Sequence, residues 1–336
     1  MSLDVGAILD ELAKDRKERI GVSATSLNLV AFVEDPQLLG WLKERTGTIA
    51  QRHPSRTLLL DATHADSARS VYSAVKEIDD TVLTQTEQIE LGVRDFAAEE
   101  LGSIVRALTV PNVQTILCWA GAHIAGESRF TELTRLADSV LLDSSRGDKT
   151  AGTLRELTQW MAGGSHRAVR DLAYMRLAPW QDMIAQFFDD ADLASELPSI
   201  ERVAITSGSD AEAYYLIGWL ASRLQWNPCG AHEFCNARGE KIGVSFRHQG
   251  EARRVVRIVL ESAHSTFTAA LQKGTSDVVC LSVDGKKARP QRCAPIHDVD
   301  VVSLMEQAIL TPAGGELFAA SLEAARALLE AQSPAS

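Results

Sequence analysis

The sequence predicts an α/β fold, with an N-terminal, mostly parallel α/β sheet domain followed by an α+β domain that contains an antiparallel meander. In the first half, short apolar runs typical of buried strands alternate with amphipathic helical segments. Parallel neighbours need a crossover connection, usually a helix, so this order favours a parallel sheet. In the second half, four extended segments follow one another between residues 242 and 283. With 336 residues, of which 45% are hydrophobic, the chain is long and apolar enough to form a core in each of two domains.

The first domain begins with a helix at residues 4–18, where apolar side chains recur at helical spacing. Glu34, Asp35 and Pro36 end the first strand and start a second helix, which stops before His53. Strands are predicted at residues 23–33, 57–60, 84–94, 113–119 and 139–142, and further helices at 97–108, around 130–137 and at 154–161.

The second domain opens on a helix that begins at Pro179. Apolar residues recur at i, i+3, i+4, i+7 and i+8 from Trp180 to Phe188, which predicts one buried stripe. The remaining elements are a strand at 202–206, a helix at 211–224, extended segments at 242–247, 254–260, 266–271 and 278–283, a hairpin turn at Asp284-Gly285, and helices at 299–309 and 316–329. We place the domain boundary beside Gly163-Gly164-Ser165, giving domains at 1–165 and 166–331 and a disordered tail at 332–336.

Composition excludes several classes of protein. A net charge of −11 argues against a general binder of nucleic acids or anionic membranes, because either would need a basic surface. The first residues lack the apolar centre of a signal peptide, and no stretch is apolar enough to span a bilayer. We therefore expect a cytoplasmic protein. Five cysteines, an odd number without an export signal, predict reduced thiols rather than disulfides.

The sequence contains none of the common dinucleotide, P-loop, serine-hydrolase or zinc-protease signatures. We expect no enzyme, no cofactor and no metal. One rival is an unrecognised catalytic site built from Asp61, His64 and His123. Another is a sugar-phosphate or metabolite sensor that uses the loop from Trp119 to Glu127, since ligands of α/β sheets bind beyond the carboxyl ends of strands. A plain connecting loop explains the same residues.

Cys229, His232 and Cys235 form the most reactive local cluster. Two thiolates and an imidazole could act as a redox pair or ligate zinc, although zinc would need a fourth ligand. They could equally be ordinary loop residues. Two basic groups also stand out in this acidic chain and could dock an acidic partner or a phosphate: Arg253, Arg254 and Arg257, and Lys286, Lys287, Arg289 and Arg292. Charges that protect edge strands from aggregation explain them as well.

Five segments in a fixed order carry a resemblance to a known family. The run Met-Arg-Leu-Ala-Pro-Trp at 175–180, together with segments at 53–56, 110–121, 136–144 and 217–224, resembles the glucose-6-phosphate dehydrogenase assembly protein family, OpcA. Three positions depart from the family pattern, namely Cys118, Ala120 and Ala178. A Thr in place of Ala178 could cap the helix, and its loss should cost about 1 kcal/mol.

The resemblance implies a non-catalytic protein that binds glucose-6-phosphate dehydrogenase at the start of the oxidative pentose phosphate pathway. Such a protein favours the active oligomer of the enzyme and activates it allosterically, in some members according to redox state. The partner-binding candidates on the matching motifs are Arg176, Pro179, Trp180, His53, Arg56 and Trp119, and the redox candidates are Cys229 and Cys235. Arg and Trp are frequent interface anchors, but Trp180 could instead be a core residue.

Overall fold

The computed structural model describes residues 4–18, 25–65, 67–78, 82–146, 150–163, 168–249, 254–275, 277–296, 300–311 and 315–332. It confirms the predicted fold class. The chain divides into two compact units, of which unit 1 comprises residues 1–143, 160–170 and 301–313 and unit 2 comprises residues 144–159, 171–300 and 314–336. Most of the predicted boundary at 163–165 and of the tail at 332–336 lies outside the described residues, so the domain limits stay predictions.

The part of the chain up to residue 171 forms the first sheet and its helices. Its elements are α1 Val5–Glu18, β1 Leu27–Val33, α2 Pro36–Arg52, β2 Ser55–Asp61, β3 Ser67–Ile78, β4 Val82–Gly92, α3 Ala98–Leu108, β5 Gln114–Ala120, α4 Ser128–Leu136, β6 Ser139–Leu142, α5 Thr150–Ala162 and β7 Ala168–Asp171. The strand order is β3-β4-β2-β1-β5-β6-β7. The neighbouring strands from β4 to β6 pair in parallel, and β3 runs antiparallel to β4 at one edge.

Strand β1 is the middle strand of this sheet, and all seven of its residues are buried. Its one strongly polar side chain, Asn28, is satisfied internally. The amide of Asn28 donates to the Val110 carbonyl over 2.9 Å and accepts from the Val110 N–H over 2.9 Å. Asn28 thereby fixes the turn that leads into β5, as expected of a buried polar group.

The second sheet lies in unit 2. Its elements are α6 Leu172–Met175, α7 Ala178–Ala185, α8 Ala191–Ala194, β8 Ile200–Ser207, α9 Asp210–Leu224, β9 Asn227–Gly230, β10 Glu233–Cys235, β11 Lys241–His248, β12 Val255–Ser262, β13 Ser265–Leu271, β14 Val278–Gly285, β15 Arg289–Pro295 and α11 Glu316–Ala331. Helix α10 Val301–Leu310 belongs to unit 1. The strand order is β15-β14-β13-β12-β8-β11-β10-β9. Only β8 and β11 pair in parallel, so the predicted meander is confirmed in β12 to β15.

Helices α9 and α11 approach each other at Gly218. A Cβ atom built on Gly218 would lie 2.1 Å from the backbone carbonyl oxygen of Ser321. Beside this contact, the fully buried Tyr215 donates its hydroxyl to Asp171 over 2.7 Å. Burial, and then the adjacent carboxylate of Asp171, raise the pKa of Tyr215 well above its usual value. The contact between α9 and α11 therefore requires a glycine, and the buried Tyr215 hydroxyl beside it has a hydrogen-bond partner.

The prediction of reduced thiols is wrong for four of the five cysteines. Cys229 is disulfide-bonded to Cys235, and Cys280 is disulfide-bonded to Cys293. Each bond joins two adjacent antiparallel strands, β9 to β10 and β14 to β15. The prediction failed because an odd cysteine count says nothing about which thiols a hairpin register places side by side. Cys118 is free and buried, and burial raises the pKa of its thiol to about 12.

Candidate functional site

Arg176, just before α7, is held inside unit 2 by an ion pair. Its Nε donates to Glu212 Oε1 over 2.7 Å, and its Nη2 donates to the Ser145 hydroxyl over 2.6 Å. The Glu212 carboxylate is 1% exposed and also accepts from the Val255 N–H over 3.0 Å. Arg176 therefore links the turn before α7 to α9 and to the first residue of β12.

Pro179 and Trp180 begin α7 but differ in exposure. Pro179 occupies the first turn of the helix, where its missing N–H costs nothing. The indole of Trp180 lies in the core at 4% exposure, whereas Ala178 is exposed and Pro179 is half-buried. The N-cap residue of α7, Leu177, offers no side-chain hydrogen bond. The predicted helix also ends earlier than expected, because residues 186–188 form a 3₁₀ turn.

His53 is the C-cap residue of α2, and Arg56 is the second residue of β2. Arg56 is 5% exposed; its Nε donates to Glu87 over 2.7 Å and its Nη1 donates to the Leu108 carbonyl over 2.8 Å. His53 is more exposed, and its Nε2 lies 3.3 Å from a carboxylate oxygen of Glu306. In this unit Arg56 is a structural cation buried in the sheet, while His53 reaches the surface.

Trp119, at the end of β5, anchors the loop that follows it. Its indole stacks on Phe32 with ring centroids 4.3 Å apart and donates its N–H to the His123 carbonyl over 3.0 Å. A Cβ atom at Gly121 would lie 2.4 Å from this indole, so the loop needs glycine there. Trp119 is itself 5% exposed, so its indole belongs to the core beneath the loop that the metabolite-sensor alternative would use.

The carboxylate and imidazole of the catalytic alternative partly come together. His64 Nδ1 lies 2.6 Å from Asp61 Oδ2, and the Thr63 hydroxyl donates to Asp61 Oδ1 over 2.5 Å. Burial raises the pKa of Asp61, but the hydrogen bonds from Thr63 and His64 outweigh burial and lower it overall. His123 is exposed in a different loop, after β5. Within the described part of the chain, no group of three or more His, Cys, Asp or Glu side chains could hold a metal ion.

The N-terminus of α2 is the place where a dinucleotide would sit in a doubly wound sheet, because it follows the central strand β1. Here the Asp35 carboxylate accepts from the Gln37 N–H over 2.8 Å and caps the helix itself. The neighbouring Glu34 carboxylate accepts from the Ala122 N–H over 2.8 Å. The Asp35 carboxylate thus occupies the helix N-terminus where a pyrophosphate would need glycines and free N–H donors, and the Glu34 carboxylate is bound to the loop after β5.

Arg247 is not among the residues that the sequence motifs indicate. Arg247 in β11 and Arg257 in β12 are both paired in register with Thr206 of β8, and both are exposed. The basic residues of the other predicted group are partly used internally. Lys287 lies 3.1 Å from Glu196, and Arg289 lies 2.8 Å from Asp190. No local sequence signal shows that Arg247 and Arg257 lie level with each other, because the β8–β11 pairing joins segments about 40 residues apart.

Comparison with known proteins gives sequence relatives. Two relatives named "Putative OxPP cycle protein OpcA" come from Synechocystis and Nostoc punctiforme; they are 31% and 30% identical over 188 and 187 residues, which is 54% of this chain in both cases. The match covers 39% and 40% of those relatives, so it spans about two fifths of their length. Among the helices of the described segments, none is long and apolar enough to cross a membrane.

Solved structures share the fold at low sequence identity. Two structures of KijD10, a 3-ketoreductase from Actinomadura kijaniata crystallised with NADP and TDP-benzene, superpose with TM-scores of 0.53 and 0.51 at 12% and 10% identity. Each covers 91% of this chain and 96% or 97% of the reductase. At such identity the likeness concerns the fold alone.

Two family models match this chain in consecutive order. The model described as "Glucose-6-phosphate dehydrogenase subunit N-terminal domain" matches residues 46–159, and the model described as the C-terminal domain of the same subunit matches residues 167–322. Together the two matches cover well over half of the chain. The chain therefore belongs to the glucose-6-phosphate dehydrogenase subunit family, OpcA.

Proposed function

We propose that this protein is a non-catalytic assembly factor and allosteric activator of glucose-6-phosphate dehydrogenase, acting in the cytoplasm in the oxidative pentose phosphate cycle. The proposal rests on the family of this chain and on one observation, that a carboxylate caps the N-terminus of α2. The fold resembles that of a reductase, yet the Asp35 carboxylate caps the helix N-terminus where a pyrophosphate would bind, and Glu34 precedes it in the chain. A fold with a carboxylate at this helix N-terminus is suited to binding a protein rather than to hydride transfer.

Activation by such a partner follows from linkage. A protein that binds the active oligomer of the enzyme more tightly than the inactive form shifts the equilibrium by its differential affinity. A tenfold preference corresponds to about 1.4 kcal/mol. No group of the activator needs to enter the active site of the enzyme.

The direct test uses the dehydrogenase of the same organism, purified with and without this protein. We expect the protein to co-elute with the enzyme, to increase its oligomer mass in light scattering and to raise its rate at fixed substrate. An equal concentration of an unrelated acidic protein is the control. If neither oligomer mass nor rate changes while both proteins are folded, the proposed function is wrong.

The proposal includes a contact between the dehydrogenase and the start of α7. Because Trp180 is buried, only the exposed Ala178 and the half-buried Pro179 are available for this contact. Trp180→Ala should lower the free energy of unfolding by about 3–5 kcal/mol, because the side chain is buried at 4% exposure. Ala178→Glu changes the exposed neighbour and should leave the melting temperature nearly unchanged. Loss of dehydrogenase binding in a pull-down with Ala178→Glu supports the contact. Normal binding by that folded variant would remove this surface from consideration.

We also propose that the Cys229–Cys235 pair makes activation redox-responsive. The pair forms a disulfide between β9 and β10, and a dithiol and a disulfide hold this hairpin differently. A reductant should change activation by the wild-type chain but not by the Cys229→Ser/Cys235→Ser variant. The matched control is Cys280→Ser/Cys293→Ser, which should keep the response. Equal activation by the wild-type chain in both redox states would refute the idea, provided that the enzyme alone is unaffected by the reductant.

A further inference from the structure

The second sheet has one face on which arginines of two central strands stand in a row. Arg247 of β11 and Arg257 of β12 both lie opposite Thr206 of β8, one on each side. Adjacent strands are about 4.8 Å apart, so the Cα atoms of the two arginines are separated by about 10 Å on the same face. The next row, two residues along each strand, consists of Ser245, Ala204 and Val259.

These two rows form a shallow, half-open depression. Its volume is about 370 Å³, and the lining includes Thr206, both arginines and the three small residues of the second row. Both arginines and Ser245 are exposed, and Thr206, Ala204 and Val259 are half-buried. Small side chains at the floor leave the two guanidinium groups standing at the rim.

The charge of this face is opposite to that of the whole chain. Among the residues that line the depression, Glu261 carries the one carboxylate. This carboxylate is already paired, because Arg202 Nε donates to it over 2.6 Å. Neither the Arg247 nor the Arg257 guanidinium group has an ion-pair or hydrogen-bond partner among the residues that the structure describes. In a chain with a net charge of −11, two arginines on one sheet face without an ion-pair partner among the described residues are a local exception.

Protection of edge strands does not explain these arginines. Strand β12 lies between β13 and β8, and β11 lies between β8 and β10, so neither strand is an edge. Charges that prevent aggregation belong on the outermost strands, where backbone groups are unpaired. The alternative raised for Arg257 from the sequence therefore does not apply to it.

We propose that this face, named here the arginine face (Arg247, Thr206, Arg257, Ser245, Ala204 and Val259), docks an acidic surface of the partner dehydrogenase. The inference rests on the proposed function and adds a location and a chemistry to it. Two guanidinium groups at this spacing fit two separate carboxylates, each of which can accept a bidentate pair of hydrogen bonds. A shallow floor of short side chains suits a protein surface better than one small anion.

The test measures the affinity of the dehydrogenase for Arg247→Glu, Arg257→Glu and the control Lys273→Glu. Each substitution changes the net charge equally, and Lys273 is exposed in the loop after β13. We expect each arginine variant to bind about tenfold more weakly or worse, with an unchanged melting temperature, while the control binds normally. Wild-type affinity should also fall with ionic strength, and less steeply for the variants.

The other outcomes separate this inference from the proposed function. Arginine variants that bind as tightly as the wild type overturn the arginine face but leave the proposed function intact. A wild-type chain that does not bind the enzyme overturns both. If inorganic phosphate raises the melting temperature of the wild type but not of Arg257→Glu, while enzyme binding is equal, the face is a small-anion site and the docking proposal is wrong.

Discussion

Gly218→Ala is expected to lower the free energy of unfolding by about 3 kcal/mol. The new methyl group would lie 2.1 Å from the Ser321 carbonyl oxygen and 3.1 Å from the Ala325 nitrogen. Both are backbone atoms of α11, so no side-chain rotation can relieve the overlap. The two helices would have to move apart, which would also loosen the packing of Tyr215 against Phe318.

The measurement is urea denaturation of Gly218→Ala beside the control Gly40→Ala. Gly40 lies in α2, and a Cβ atom there meets nothing within 4 Å. Because alanine forms helices more readily than glycine, the control should gain about 0.5–1 kcal/mol. If Gly218→Ala lowers the free energy of unfolding and Gly40→Ala raises it, the contact with α11 is the cause of the loss at Gly218. Equal stability of Gly218→Ala and the wild type would mean that α9 and α11 are not in contact at this point.

Arg56→Met is expected to lower the free energy of unfolding by about 3–5 kcal/mol. The substitution keeps the length and the apolar stem of the side chain but removes the cation that lies 2.7 Å from the Glu87 carboxylate. Glu87 is 1% exposed, so water cannot replace the lost partner. The Leu108 carbonyl would lose its donor from Arg56 as well.

Two further variants show whether burial is the reason. Arg56→Met/Glu87→Leu removes both charges and should recover much of the loss, because it leaves no isolated carboxylate in the sheet. Arg52→Met breaks the pair with Glu306, in which the arginine side chain is 49% exposed, and should cost less than about 1 kcal/mol. If Arg52→Met lowered the free energy of unfolding as much as Arg56→Met, burial of the ion pair would not explain the loss.

The sequence predicted those elements whose local pattern agrees with their burial. Strands β1, β5 and β6 are apolar runs that become buried strands, and α2 begins at Pro36 as expected. It missed β3 and β15, where polar residues interrupt the pattern, and the short strands β7, β9 and β10. These missed strands are short or depend on a neighbour for pairing, so periodicity within one segment does not show them.

The sequence motifs pointed to individual residues of the candidate site but not to the side chains that surround them. Arg56 and Arg176 were singled out from motifs, yet their partners Glu87 and Glu212 are 31 and 36 residues away in the sequence. Whether such an arginine is buried depends on those distant carboxylates. Arg247 was missed for the same reason, since only the register across β8 brings it level with Arg257.

The two disulfides lie at opposite margins of the second sheet, since β9 and β10 form one end of the strand order and β14 and β15 form the other. An outermost strand usually frays first, and its amide hydrogens then exchange with solvent fastest. Here the outermost strand cannot leave alone, because it is covalently joined to its neighbour. The smallest unit that can open at either margin is therefore a two-stranded hairpin, and amide exchange there should become cooperative while the disulfides persist.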